Sequence, residues 1–158
     1  MEQTQVDEFF QAIRSRKYTQ LQGLLKESPT LVEAKDARGS TPLILATYLG
    51  DLPAAKMLVK AGASLDATDG MGNTALMGVC FKGFRNIATF LLEAGADPNV
   101  RSANGGTALH FAAMFNKPEI VNLLMEKGAD AGAKDNHGLT AADQARNQGF
   151  AELAEHLG

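Results

Sequence analysis

Apolar residues fall along this chain in clusters at helical spacing, and the clusters themselves recur. Phe9, Phe10 and Ile13 form one stripe and Leu21, Leu24 and Leu25 another, with Gln11, Arg14, Arg16, Lys17, Gln20 and Gln22 between them. Residues 7–28 therefore read as a pair of short amphipathic helices. Further on, Leu43, Leu76 and Leu109 share one slot and Ala46, Val79 and Ala112 another, each thirty-three residues from the next. Leu58, Leu91 and Leu124, with Ala54, Ile87 and Ile120, keep the same interval in a second helix. One period back from Leu43, Ala46 and Leu58 lie Phe10, Ile13 and Leu25, so the register is expected to continue into the N-terminal pair. A fixed period of this size indicates stacked units, none of which buries its apolar face alone.

The polar punctuation keeps the same beat. Gly39, Gly72, Gly105 and Gly138 each stand two residues before Thr41, Thr74, Thr107 and Thr140. The glycine permits a tight positive-φ turn, and the threonine side chain is placed to cap a helix. Pro42 suits the first helical position, which Ala75, Ala108 and Ala141 take in the other units. Gly62, Gly95 and Gly128 are predicted to end the second helices, and Gly50, Gly83 and Asn116 to separate the two helices of a unit. With Thr41-Pro42-Leu43 and Thr107-Ala108-Leu109-His110-Phe111-Ala112-Ala113, this pattern resembles the ankyrin repeat family from Asp36 to Asp143.

The resemblance implies an all-α repeat solenoid, an ankyrin stack of five helix pairs joined by β-hairpin-like fingers. The single domain, residues 1–158, divides into an N-terminal capping repeat at 7–35, full repeats at 36–68, 69–101 and 102–134, and a C-terminal capping repeat at 135–158. The first unit lacks the finger signature, and Glu152, Glu155 and His156 crowd the last helix, as soluble end units require. The stack is thus expected to be complete. Gly78 stands where Leu45 and Phe111 stand in other units, so the second full repeat is expected to pack less tightly.

Composition narrows the function. A chain of 158 residues, 45% hydrophobic, suits one domain, and no apolar run approaches the ~20 residues that span a bilayer. The polar start, Met1-Glu2-Gln3-Thr4-Gln5, is unlike a secretory signal, so a cytoplasmic protein without membrane contact is expected. The lone Cys80 excludes an internal disulfide, and no Cys/His spacing suggests a metal or a cofactor. The net charge is −3, with acids and bases balanced up to residue 134 and the excess of acid in the last unit. There is no basic stripe of the kind nucleic acid requires.

Three histidines and one thiol are the candidates for chemistry. In the Thr-Ala-Leu-His stretch, His110 holds the position of the family's structural histidine, which bonds to neighbouring backbone and threonine. His137 lies at a finger tip and His156 on the last helix. Cys80 shares a slot with Thr47 and Ala113, and no acid or oxyanion loop accompanies it, so an enzyme or small-ligand site built on Cys80 and His110 is the least favoured reading. Ala96-Asp97-Pro98-Asn99 lacks the carboxylate spacing of a calcium loop.

The resemblance further implies a concave face lined by finger tips and first-helix ends. Those positions hold Arg38, Met71, Asn73, Asn104 and His137 at the tips, and Tyr48, Leu49, Phe81, Lys82, Met114 and Phe115 at the helix ends. Of ten aromatic residues, three fall on this ridge, and exposed apolar patches of this composition mark interaction surfaces. The expected function is a non-enzymatic module that binds a partner protein there, as an adaptor. The alternative is an inhibitory or immunity-type protein that blocks a partner enzyme's cleft. A monomer is expected, with homodimerisation through the apolar face as the other outcome.

Overall fold

Threonine and glycine set the helix boundaries in the computed structural model, which describes residues 2–158. The described residues form ten α-helices and no strand, packed in sequential pairs. The first pair is α1 (Gln3–Arg14) and α2 (Tyr18–Glu27), followed by a 3-10 turn at Pro29–Glu33. The three full repeats supply α3 (Pro42–Tyr48) with α4 (Leu52–Lys60), α5 (Ala75–Lys82) with α6 (Arg85–Glu93), and α7 (Ala108–Met114) with α8 (Pro118–Glu126). The chain closes with α9 (Ala141–Asn147) and α10 (Ala151–Leu157). Odd-numbered helices pack on one another in sequence order and form the inner layer.

Four of the five inner helices, α3, α5, α7 and α9, start directly after the threonine that predicts them. The Ile44 N–H donates to Thr41 Oγ1 at 3.2 Å, that of Met77 to Thr74 at 3.3 Å, and that of Asp143 to Thr140 at 3.2 Å. A return bond comes from the third helical residue, whose identity changes along the stack. Met77 Sδ accepts from the Thr74 N–H at 3.4 Å, His110 Nδ1 from that of Thr107 at 3.1 Å, and Asp143 Oδ2 from that of Thr140 at 3.0 Å. A thioether, an imidazole and a carboxylate thus complete the same reciprocal cap. Asn116, at φ 54°, takes the left-handed conformation that glycine takes at Gly50 and Gly83.

The recurring apolar slots are the core. Leu43, Leu76 and Leu109 are each 1% exposed, and Ala46, Val79, Ala112, Leu58, Leu91 and Leu124 are fully buried. Burying one leucine side chain stabilises by about 1.5–3 kcal/mol, so the shared slots carry much of the stack's cohesion.

The N-terminal pair departs from expectation in two ways. Its first helix begins at Gln3 rather than near residue 7, and its register is thirty-four residues from the next unit, not thirty-three. The Lys17 N–H donates to the Ala12 carbonyl just as that of Asp51 donates to Ala46, so Ala12, not Ile13, is the equivalent of Ala46. Leu24, rather than the half-buried Leu25, then fills the Leu58 slot, and Phe9 fills that of Leu43 beside an equally buried Phe10. The extra residue lies in the exit from α2. A full repeat leaves its second helix through a left-handed glycine, whereas the cap leaves through Ser28 and the 3-10 turn, and Asp36 comes twelve positions after Leu24 where Asp69 comes eleven after Leu58. Arg16, at φ 54°, stands in the inter-helix position of Gly50. Tyr18 ties this cap down, its hydroxyl donating to Asp51 Oδ1 at 2.9 Å.

The fingers are turns stabilised by side chains. Asp36, Asp69 and Asp135 each accept two backbone N–H bonds within their own turn through Oδ1, at 2.9–3.0 Å. In the third full repeat Ser102 replaces this aspartate, and Asn104 Oδ1 accepts the Gly106 N–H and the Ser102 hydroxyl instead. One backbone bond joins each finger to the next: Gly70 N–H to the Arg38 carbonyl at 3.2 Å, Ala103 to Met71 at 3.0 Å, and Asn136 to Asn104 at 2.9 Å. After the outer helices a second ladder runs between repeats. Glu33 Oε1 accepts the Ser64 N–H, Asp66 Oδ1 that of Asp97, and Asn99 Oδ1 that of Asp130, at 2.8–2.9 Å. The Asp97-Pro98-Asn99 segment is part of this splint.

Candidate functional site

The ends of the inner helices project two parallel rows of side chains. The first row runs Arg14, Tyr48, Phe81, Met114, Asn147, and the second Ser15, Leu49, Lys82, Phe115, Gln148. Each row is apolar or aromatic in the middle, Lys82 excepted, and polar at both ends. Since α3, α5 and α7 all terminate just here, the ridge residues sit in the last turn or at the C-cap of these helices.

The three rings form one continuous array. Tyr48 and Phe81 lie parallel within 5°, with centroids 6.4 Å apart, and Phe115 meets Phe81 edge-on at 4.8 Å and 89°. Both are favoured aromatic geometries, worth about 0.5–1.5 kcal/mol per pair beyond area burial. The rings hold one another in place and still expose 42%, 43% and 37% of their surface. Lys82 lies along the array with Nζ 4.9 Å from the Tyr48 centroid and 5.8 Å from that of Phe84, so its ammonium rests on aromatic faces.

Around this array the other expected positions divide. Leu49 is 40% exposed beside Tyr48, and Met114 is half-buried in the Phe81 row. Met71 stands out from its finger at 69% exposure. Arg38 and His137 are exposed at the tips on either side, and Asn73 is half-buried behind Met71. Asn104 is exposed, but its Oδ1 is committed to its own turn. Gly78 is roofed by the Tyr48 ring: a Cβ built there would meet Tyr48 Cδ1 at 3.4 Å. The aromatic array therefore occupies the space that the absent side chain leaves, which the glycine alone did not reveal.

Cys80 and His110 have packing and bonding roles. Cys80 is fully buried, and desolvation pushes its thiol far above the ordinary range, so it holds its proton. His110, 3% exposed, uses both ring nitrogens: Nδ1 accepts from the Thr107 N–H, and Nε2 lies 2.9 Å from the Leu139 carbonyl. An amide N–H only donates and a carbonyl only accepts, so the proton sits on Nε2. The ring fastens the third full repeat to the finger of the last unit and has no nitrogen left for Cys80. His156 is exposed and pairs with Asn122 Oδ1 at 2.7 Å across α8 and α10. Grooves of 620 and 540 Å³ lie at the N-terminal unit, the first beside Glu2, Thr4, Gln5 and Glu8 and the second between Phe10, Arg14 and Asp36, and neither is lined by Cys80 or His110.

Among the described residues no group of three or more His, Cys, Asp or Glu side chains is arranged to hold a metal ion. No helix among them is long and apolar enough to cross a membrane. Two family models match the chain, one described as ankyrin repeats in three copies over residues 9–102, the other as ankyrin repeats in many copies over residues 91–145. No curated protein matches it.

Proposed function

The chain belongs to the ankyrin repeat family, whose repeats imply a protein-binding module, and we propose that it binds its partner through the concave face centred on Tyr48, Phe81 and Phe115. The observation that carries this reading is the array itself: three mutually oriented rings, each more than a third exposed, on the ends of three consecutive inner helices. Large side chains that are ordered before contact lose little freedom on binding, and aromatic anchors dominate interface energies. Arg38, Met71, Asn73, Asn104 and His137 at the fingers, and Leu49, Lys82 and Met114 on the ridge, complete the surface. No step of chemistry is assigned to the module.

The test is affinity capture with the wild type and with the Tyr48→Ala/Phe81→Ala/Phe115→Ala variant, both checked for unchanged helicity. The variant is expected to lose the captured partner, with a loss in binding of about 2–4 kcal/mol. Full affinity in a folded triple variant moves the site off this face. Met71, the most exposed large apolar side chain among the described residues, favours a sharper version in which the fingers enter a partner enzyme's cleft. Suppression of that enzyme's activity by the wild type, relieved by Met71→Ala, separates an inhibitor from an adaptor.

A further inference from the structure

Carboxylates are missing from the surface just described, although the chain carries 18 acidic residues against 15 basic ones. The two helix-end rows contain Arg14 and Lys82 and no acid, and the finger tips add Arg38 and His137, again with no acid. The nearest carboxylate in sequence, Asp51, is buried and accepts from the Tyr18 hydroxyl and the Ala54 N–H through Oδ1, and its neighbours along the chain also have an oxygen engaged. Asp36, Asp69 and Asp135 hold their own turns through Oδ1. Asp143 accepts the Thr140 N–H and pairs with Arg146 at 3.0 Å, and Asp7 accepts from Gln3. Arg14 lies 3.9 Å from Asp36 Oδ2, a long contact that leaves its side chain about half exposed. Arg38 and Lys82 have no carboxylate partner among the described residues.

Resting on the concave-face reading, we infer that the partner presents an acidic segment that combines large apolar side chains with carboxylates. Apolar contact is available along Tyr48, Phe81, Met114 and Phe115. The polar ends of the rows, Arg14 and Ser15 on one side and Asn147 and Gln148 on the other, form the rim that bounds such a contact. Lys82 in the middle of the second row and Arg38 at a finger tip then meet the partner's carboxylates, and a surface whose only charged members are cations repels a basic competitor. Lys82 is suited to this exchange, because its ammonium rests on ring faces instead of in an ion pair that would have to be broken. Nucleic acid fits less well, since three cations scattered over an apolar strip of a chain of net charge −3 do not track a phosphate backbone.

Two synthetic random-sequence peptide pools of about 15 residues, equal in Leu, Phe and Met content, decide the matter. One carries Asp and Glu, the other Lys and Arg. Fluorescence anisotropy with the whole chain is expected to show retention of the acidic pool at a concentration about tenfold or more below the basic pool, with the gap narrowing as salt rises. Arg38→Glu/Lys82→Glu is expected to invert the order, and Arg38→Gln/Lys82→Gln to abolish the gap without inverting it; circular dichroism confirms that both remain folded. Equal binding of the two pools, preference for the basic pool, binding of neither, or tighter binding of a single-stranded RNA overturns the inference. The aromatic triple variant distinguishes the two levels of failure. If it loses both pools equally while charge reversal changes nothing, the concave face stands and the acidic partner falls. If it keeps the acidic pool, the concave face itself falls.

Discussion

The three full repeats and the two capping units share their buried rows and differ in their exposed ones. Ala12, Ala46, Val79, Ala112 and Ala145 occupy one core slot through all five units, and none is more than 2% exposed. At the helix ends the middle units carry Tyr48, Phe81 and Met114, while the caps carry Arg14 and Asn147 in the same row. The caps show that the fold accepts polar side chains at these positions. The apolar strip is confined to the full repeats, where its rings pack on one another as well as facing outward. The caps differ from each other as well. The N-terminal one buries Phe9, Phe10, Ile13, Leu21 and Leu31, whereas the C-terminal one buries Ala141, Ala142, Ala145, Leu153 and Ala154, a core of smaller side chains.

Truncating the buried rows should produce the largest effect and a graded one. Leu76 is packed between inner helices on both sides, so Leu76→Ala is expected to cost about 3–5 kcal/mol. Leu153, in a cap with a neighbour on one side only, should cost about 2 kcal/mol on the same substitution. Urea denaturation of both variants checks the order, and equal losses would erase the distinction between middle and cap that the buried rows suggest.

A smaller effect is expected at the seam between the last full repeat and the alanine-rich cap. His110→Ala removes the contact to the Leu139 carbonyl and leaves that group and the Thr107 N–H without their partners, a loss of about 1–3 kcal/mol. The accompanying sign is local: amide exchange should accelerate in α9 and α10 while α3 and α5 keep their protection. Uniform acceleration across the stack would mean that the seam is no weaker than the rest.

How far the sequence revealed this arrangement depended on what its punctuation could fix. In the full repeats the glycines and threonines pin the register, so Leu43, Leu58 and their equivalents could be assigned to the core from spacing alone. In the N-terminal unit no finger marks the register, and the 3-10 exit at Pro29–Glu33 adds a residue that hydrophobic spacing could not locate, since Phe9 and Phe10 are both buried. The ridge residues were legible as a set because their slots are fixed by the period. Their mutual geometry was not, because parallel and edge-on rings depend on side-chain torsions and on the space over Gly78. The turn role of Asn104 was also hidden, since it arises only where Ser102 replaces an aspartate.

Acid should loosen the C-terminal cap through two carboxylates. Burial works to raise the pKa of Asp135, but the Leu139 and His137 N–H groups and the Gln144 amide outweigh it, so the carboxyl lies below its ordinary range. At Asp143 the Thr140 N–H and hydroxyl come first, with Arg146 adding to them, and the net direction is again downward. A folded pKa below the unfolded one gives stability that is present above about pH 4 and is lost as pH falls through the folded value. Thermal melts below that pH should lose stability in the wild type, and less so in Asp143→Asn, with the first exchange changes in α9. A pH-independent melt from neutrality to pH 3 would remove these carboxylates from the account of the cap.

The smallest expected effect is a gain. Gly78 lies within α5 without a positive φ, so the backbone there accepts any residue, and an added Cβ would reach Tyr48 Cδ1 at 3.4 Å, an ordinary contact distance. Gly78→Ala should therefore stabilise the chain by about 0.5–1 kcal/mol, chiefly by restricting the unfolded state. It should also slow amide exchange in α5 relative to α7, where Phe111 fills the equivalent position. If the variant gains stability and keeps partner affinity, the glycine is simply an unimproved helix position. If it gains stability but weakens binding, the position of the Tyr48 ring over Gly78 belongs to the binding surface.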